Sequence, residues 1–267
     1  MKTLRLSLLL SGFLLFVFAS KLGAQVTYTM GPTAYYDTFT DGGDIYNNAS
    51  GAQLGMWANS GSNKRVVAWR ALKTAGDNTG SNRSLQVGDV FSITVSATSA
   101  FGVMGFSLNN APSTGSWANR HSNTRVYVQA AGTSASWMVH HNGGSTTLDY
   151  NVSTTRRDYR FNVYITSEST CDVELIEGAT TKRVYNLAMS GTSGANISHV
   201  VLYFNDDWNG SSNQNIFWKQ TAQHNATGTV NLGYYLGSGT YTPGLITNGL
   251  AGNSTSTSSA NAVNVGG

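Results

Sequence analysis

Apolar and polar residues alternate with a period of two through most of this chain, and no segment carries the three-to-four spacing of an amphipathic helix. Successive strand side chains point to opposite faces, so this pattern commits the chain to half-buried β-strands. In FSITVSA, Phe91, Ile93, Val95 and Ala97 share a face; in RVYVQA, Val126, Val128 and Ala130 do; in YRFNVYI, Tyr159, Phe161, Val163 and Ile165 do. Shorter candidates are VMGFSL (103–108), SWMVH (136–140) and DVELI (172–176). HVVLYF (199–204) is a continuous apolar run, suited to a strand covered on both faces, and IFWK (216–219) reads as a closing strand. Clusters of Gly, Asn, Ser and Thr at 76–80, 109–115, 142–145 and 191–196 supply the turns. The string predicts an all-β domain over residues 25–222, a two-sheet antiparallel β-sandwich with its sheets about 10 Å apart. A barrel satisfies the same periodicity.

The two ends differ from this domain. Lys2 and Arg5 precede an apolar run over 6–19, and small residues follow, with Ala19 and Ala24 as cleavage points. Residues 1–24 thus have the layout of a secretory signal peptide, and the run is short for a membrane span. A secreted or cell-surface location is expected, with no transmembrane segment once the leader is removed. The leader holds Lys2, Arg5 and Lys21 and no acid, so its removal leaves 13 basic residues against 13 acidic ones. The pI of about 8.9 therefore belongs to the leader and gives no ground for a nucleic-acid partner. Residues 220–267 contain no Lys, Arg, Asp or Glu, and Val230-Asn231-Leu232-Gly233 is echoed by Val263-Asn264-Val265-Gly266. The tail, 223–267, is Gly/Ser/Thr/Asn-rich and reads either as a short β-repeat opening a longer surface protein or as disordered sequence. One cysteine, Cys171, rules out an intramolecular disulfide and a cysteine zinc cluster; alternating with Val173 and Leu175, it reads as a buried apolar residue.

The strand string LQVGDVFSITV, FGVMGFSL, RVYVQ, SWMVHH, YRFNVYITS, CDVELIE, HVVLYFNDD and QNIFWK resembles the concanavalin A-like lectin/glucanase jelly roll over about residues 35–220. The tail resembles the β-strand repeats of large bacterial surface and autotransported proteins. The jelly-roll resemblance implies a carbohydrate-binding or adhesion module whose partner is a polysaccharide or cell-surface glycan. Two alternatives stand beside it: a ligand-free structural module of a large surface protein, and a glycoside hydrolase.

Three constellations could carry chemistry. In Asn205-Asp206-Asp207-Trp208-Asn209-Gly210, the oxygens of Asp206, Asp207 and Asn209 suit calcium or sugar hydroxyls, and Trp208 offers a flat apolar face. This loop resembles the aspartate-rich metal segment of legume-type lectins, with Asn205 where that family has Asp. Asp37, Asp41 and Asp44, with Gly42 and Gly43 between them, form a second calcium candidate or an ordinary acidic loop. In Asp172-Val173-Glu174-Leu175-Ile176-Glu177, Asp172 and Glu174 share a face, as a retaining glycosidase would require of its two carboxyl groups. The family's hydrolases carry Glu-x-Asp-x-(x)-Glu, so here the outer and middle residues are exchanged; the plainer expectation is pairing with Arg156, Arg157, Arg160 or Arg183. Trp57, Trp117 and Trp208 lie in Gly/Ser/Asn loops and are candidate exposed stacking platforms, whereas Trp69, Trp137 and Trp218 lie in strand-like runs and are expected in the core. His140 and His141 are expected on opposite faces, unable to share one metal.

Overall fold

The computed structural model describes residues 26–28, 30–58, 64–98, 102–113, 115–132, 135–194, 196–206 and 215–224. The leader and nearly all of the tail lie outside these residues. Among the described residues there are fifteen strands: β1 Val26–Tyr28, β2 Asp37–Asp41, β3 Gly43–Asn48, β4 Gln53–Ala58, β5 Lys64–Ala71, β6 Val90–Ala97, β7 Val103–Asn109, β8 Thr124–Ala131, β9 Ser136–His141, β10 Gly144–Asn151, β11 Arg157–Ile165, β12 Thr170–Glu177, β13 Thr180–Ala188, β14 His199–Asp206 and β15 Ile216–His224. They form two antiparallel sheets. Sheet I runs β13-β12-β11-β6-β15-β4-β3, with β1 also pairing β15, and sheet II runs β10-β9-β8-β7-β14-β5-β2. This is the two-sheet antiparallel sandwich expected from the alternation, with the jelly-roll form that the resemblance implies, and not the barrel that the same periodicity allows.

Every strand anticipated from alternation is present, and the anticipated faces point inward. Phe91, Ile93, Val95 and Ala97 of β6 meet Val126, Val128 and Ala130 of β8 in one core cluster. Phe106 lies at the centre, 5.5 Å from Phe161 and 6.3 Å edge-on to Trp218. Trp137 packs 4.9 Å from Phe161, and the Trp218 indole N–H donates to Met56 Sδ at 3.1 Å. Cys171 is buried in this core, and burial raises its thiol pKa, as befits an inert packed residue.

Trp69 is buried as expected, but away from the inter-sheet core. It is buried on the outer face of sheet II, in a second apolar cluster with Val67, Val201 and Tyr203. The same cluster accounts for the unbroken apolarity of HVVLYF: β14 buries Val200, Leu202 and Phe204 between the sheets and Val201 and Tyr203 beneath a loop, 110–123, that crosses the outer face. A register shift between β7 and β8 at Leu108/Asn109 coincides with Arg125. The buried Arg125 guanidinium donates to the carbonyls of Thr192 and Glu168, tying together the loops at one end of the sandwich.

Candidate functional site

Antiparallel register brings distant residues into rows across the outer face of sheet II. One row reads Asp37, Trp69, Val201, Ser107, Tyr127, His140, Ser145; the next reads Phe39, Val67, Tyr203, Gly105, Gln129, Met138, Thr147. Over β5 and β14 the rows are apolar and buried, whereas on β2 Phe39 is half-buried and Asp37 is exposed. The half over β8, β9 and β10 carries rings and amides and is half-buried to exposed.

Loop 110–123 forms the wall between the halves. It is pinned by Asn110 N–H to Asn123 O at 2.9 Å and by Asn123 Nδ2 to Pro112 O at 2.9 Å. The sheet holds it too, since Ser107 Oγ and Asn109 Nδ2 donate to Arg120 O at 3.3 and 3.5 Å. Its short 3-10 turn, Ala118–His121, sets His121 over Tyr127 with ring centroids 3.9 Å apart. His140 covers the other face of Tyr127 at 4.3 Å and 2° between planes. His121, Tyr127 and His140 thus form one continuous stack, with Tyr203 edge-on to His121 at 5.0 Å. The far side of His140 is bordered in the row by Ser145, which is small and exposed. A flat ring edge therefore faces solvent beside Gln129 and Met138.

Burial, then the positive charge of Arg120, lowers the pKa of His121 from 6.5 to about 3, and burial also lowers that of His140. Both rings are neutral at pH 7. Both nitrogens of His121, Nε2 of His140 and Nε of Arg120 are buried without a hydrogen-bond partner among the described residues. Arg120 stacks over Trp117 at 4.0 Å and gives one hydrogen bond, Nη1 to Trp117 O at 2.7 Å.

Gly105 shapes the platform. A Cβ there would lie 2.6 Å from the Tyr203 hydroxyl and would collide with the Val128 carbonyl oxygen. Only glycine lets Tyr203 lie across the sheet and direct its hydroxyl to Gln129 Oε1 at 3.3 Å. Gly105→Ala is expected to displace Tyr203 and the stack that leans on it, costing about 1–3 kcal/mol. Urea unfolding and the near-ultraviolet circular dichroism of the ring cluster would check this; an unchanged spectrum would count against it.

The residues nominated from sequence are dispersed. Trp117 belongs to this wall but is half-buried, edge-on to Tyr203 at 5.9 Å. Trp57 is not in a loop: it lies in β4, half-buried, opposite Asp44 of β3. Asp207, Trp208 and Asn209 lie outside the described residues. The backbone of Asp206 ends β14 opposite Lys64, while Asn205 Oδ1 accepts from Val103 N–H at 2.7 Å and so holds β7 to β14. Asp37 and Asp41 stand on β2 in sheet II, whereas Asp44 is on β3 in sheet I, and Asp41 pairs with Lys64 at 3.9 Å. Among the described residues no three His, Cys, Asp or Glu side chains gather where a metal could sit.

Asp172 and Glu174 do share a face, the outer face of sheet I. Arg183 lies between them, with Nη2 2.9 Å from Asp172 and Nη1 3.6 Å from Glu174. Asn162 Nδ2 and the Tyr164 hydroxyl donate to Glu174 at 3.1 and 3.3 Å. Burial raises the Glu174 carboxyl pKa even with these partners. Glu177 is apart from both, accepting from Tyr150 at 2.9 Å and Arg157 at 2.7 Å, and these bonds lower its pKa. His140 and His141 face apart as expected, His141 lying 3.1 Å from Thr146 Oγ1. A separate cavity of about 370 Å³ opens between the loops tied by Arg125; Leu85, Ile165 and Ile197 line it with Glu168, and it holds no aromatic ring.

The stack was not assembled from sequence, although Tyr127 and Gln129 alternate with Val126 and Val128 and so had to face away from the core. What was missing was their neighbours: His140 depends on the β8–β9 register, and Tyr203 and His121 come from distant segments.

No protein-family model and no curated protein sequence matches this chain. Several solved structures are similar to this chain at low identity. Lectin II from Ulex europaeus is 12% identical with a TM-score of 0.49, covering 75% of this chain and 97% of the lectin. A peanut lectin in complex with a nine-residue peptide is 10% identical with a TM-score of 0.48, covering 75% and 96%. An endo-β-1,4-glucuronan lyase from Trichoderma reesei is 11% identical with a TM-score of 0.45, covering 76% and 94%. The likeness is one of fold.

Proposed function

We propose that this chain is a non-catalytic carbohydrate-binding module, acting outside the cell or at its surface, and that it binds through the outer face of sheet II around Tyr127, Gln129 and His140. The observation that carries this reading is the His121–Tyr127–His140 stack, a rigid aromatic shelf on the sheet surface flanked by an amide and a guanidinium. Both faces of Tyr127 are covered by the histidines, so the ring edges and the outward face of His140 are what meet the C–H surface of a pyranose, while a few fixed polar groups meet its hydroxyls. The stack limits the rotamer freedom of each ring, so little ordering entropy remains to be lost on binding. The alternative centre, at Asp172 and Glu174, has both carboxylates engaged by one arginine, which favours a structural role there.

A glycan array probed with the chain, followed by calorimetry on the best ligand, tests this reading. Tyr127→Ala and His140→Ala are each expected to weaken binding at least 10-fold while leaving sheet I intact. Undiminished affinity in both variants would remove the site from the outer face of sheet II.

A further inference from the structure

We propose that the saccharide taken by this platform is anionic, bearing a carboxylate or a sulfate ester, and that Arg120 is the residue that receives its charge. This rests on the carbohydrate reading above and sharpens it. Arg120 is half-buried at the inner edge of the ring shelf, held between Trp117 at 4.0 Å and Tyr203 at 5.2 Å. It makes no ion pair among the described residues, and the one hydrogen bond of its guanidinium goes to the Trp117 carbonyl. A guanidinium carries five donors in a planar fork, so most of its capacity is unspent.

The surroundings make an anion the natural complement. Arg65 approaches the same Trp117 ring at 5.8 Å, and its charge opposes that of Arg120. In the two rows of the platform the only acid is Asp37, on β2 at the opposite edge of the sheet; Asp41, beyond it, is paired with Lys64. The rings beside Arg120 are neutral and offer no counter-charge. Bidentate guanidinium–carboxylate and guanidinium–sulfate contacts are short and charge-assisted, and they strengthen where water is partly excluded. The packing against Trp117 and Tyr203 holds the fork in place before the ligand arrives.

The test compares binding of the full chain to polygalacturonate, dextran sulfate and dextran by affinity electrophoresis and calorimetry. At least one of the two acidic polymers is expected to bind at least 10-fold more tightly than dextran, with affinity falling as salt rises. Arg120→Gln is expected to remove that preference. Polygalacturonate alone, dextran sulfate alone or both would identify the anion accepted. Equal binding of dextran, or acid-polymer binding undiminished in Arg120→Gln, overturns the proposal and leaves the carbohydrate reading standing. Binding of none of the three polymers overturns the proposal, and the glycan array then decides whether the broader reading survives. Should Arg120→Gln not fold, competition in the native chain by methyl galacturonate against methyl galactoside decides the point: preferential displacement by the uronate supports it, and equal displacement refutes it.

Discussion

Arg183→Met is expected to destabilise the protein by about 3–5 kcal/mol, the usual cost of removing one partner from a buried ionic cluster. Arg183 is 6% exposed, and the side chains of Glu174 and Asp172 are 4% and 10% exposed. Its guanidinium faces both carboxylates and lies 4.0 Å over the Tyr164 ring. Methionine keeps much of the aliphatic packing but leaves two carboxylates in a desolvated row with their neutral donors alone. Burial already raises the Glu174 pKa, and loss of Arg183 removes a charge that lowers it, so in the variant this carboxyl binds its proton more tightly when folded than when unfolded. The deficit should therefore narrow as pH falls and Glu174 protonates. Urea unfolding at pH 7 and pH 5 measures both effects. Adding Asp172→Asn and Glu174→Gln to Arg183→Met should recover most of the loss. A deficit below 1 kcal/mol at pH 7 would mean that the cluster is well solvated.

The second large effect is acid instability originating at His121. Its folded-state pKa, about 3, lies below the ordinary 6.5. Between those values the unfolded chain binds a proton that the folded chain excludes. The full stability is thus present above pH 6.5 and is lost as pH falls toward 3, at up to about 1.4 kcal/mol per pH unit. His140, whose pKa is also lowered, adds to the same slope. Replacing His121 with Gln removes the titrating ring together with its contacts to Tyr127 and Tyr203. The variant should be less stable at pH 7 yet show a shallower loss between pH 6.5 and 4. Thermal midpoints across that range give the comparison; parallel curves for the two proteins would show that His121 titrates freely in the fold.

These effects sit in different sheets, and they differ in how much of each was legible from sequence. Asp172 and Glu174 lie two apart on a strand, so their shared face follows from local geometry alone, and Arg183 was among four arginines named as partners. Selecting Arg183 needed the β12–β13 register, in which it stands opposite Glu174. The strands β10 and β13 gave weak signals because they are edge strands with much of both faces in solvent, so little apolar alternation marks them. Trp57 is a related case: the Gly, Ala, Asn and Ser residues flanking it in sequence read as loop, and pairing of Gln53–Ala58 with β3 and β15 makes its own segment a strand.

The order of apolar and polar residues by itself determined that this chain is all-β, where its central strands lie, and which side chains fill its core. Those properties follow from a two-residue period that each strand carries in its own sequence. Strand pairing into two open sheets decided for a sandwich over a barrel. The tertiary structure alone decided the candidate site. Tyr127, His140, His121, Arg120 and Tyr203 span some 80 positions, and they meet because β14 pairs with β7 and loop 110–123 folds back over that pair. Cross-strand register and loop docking are settled by the competition among all possible pairings, and no local stretch of sequence contains that outcome.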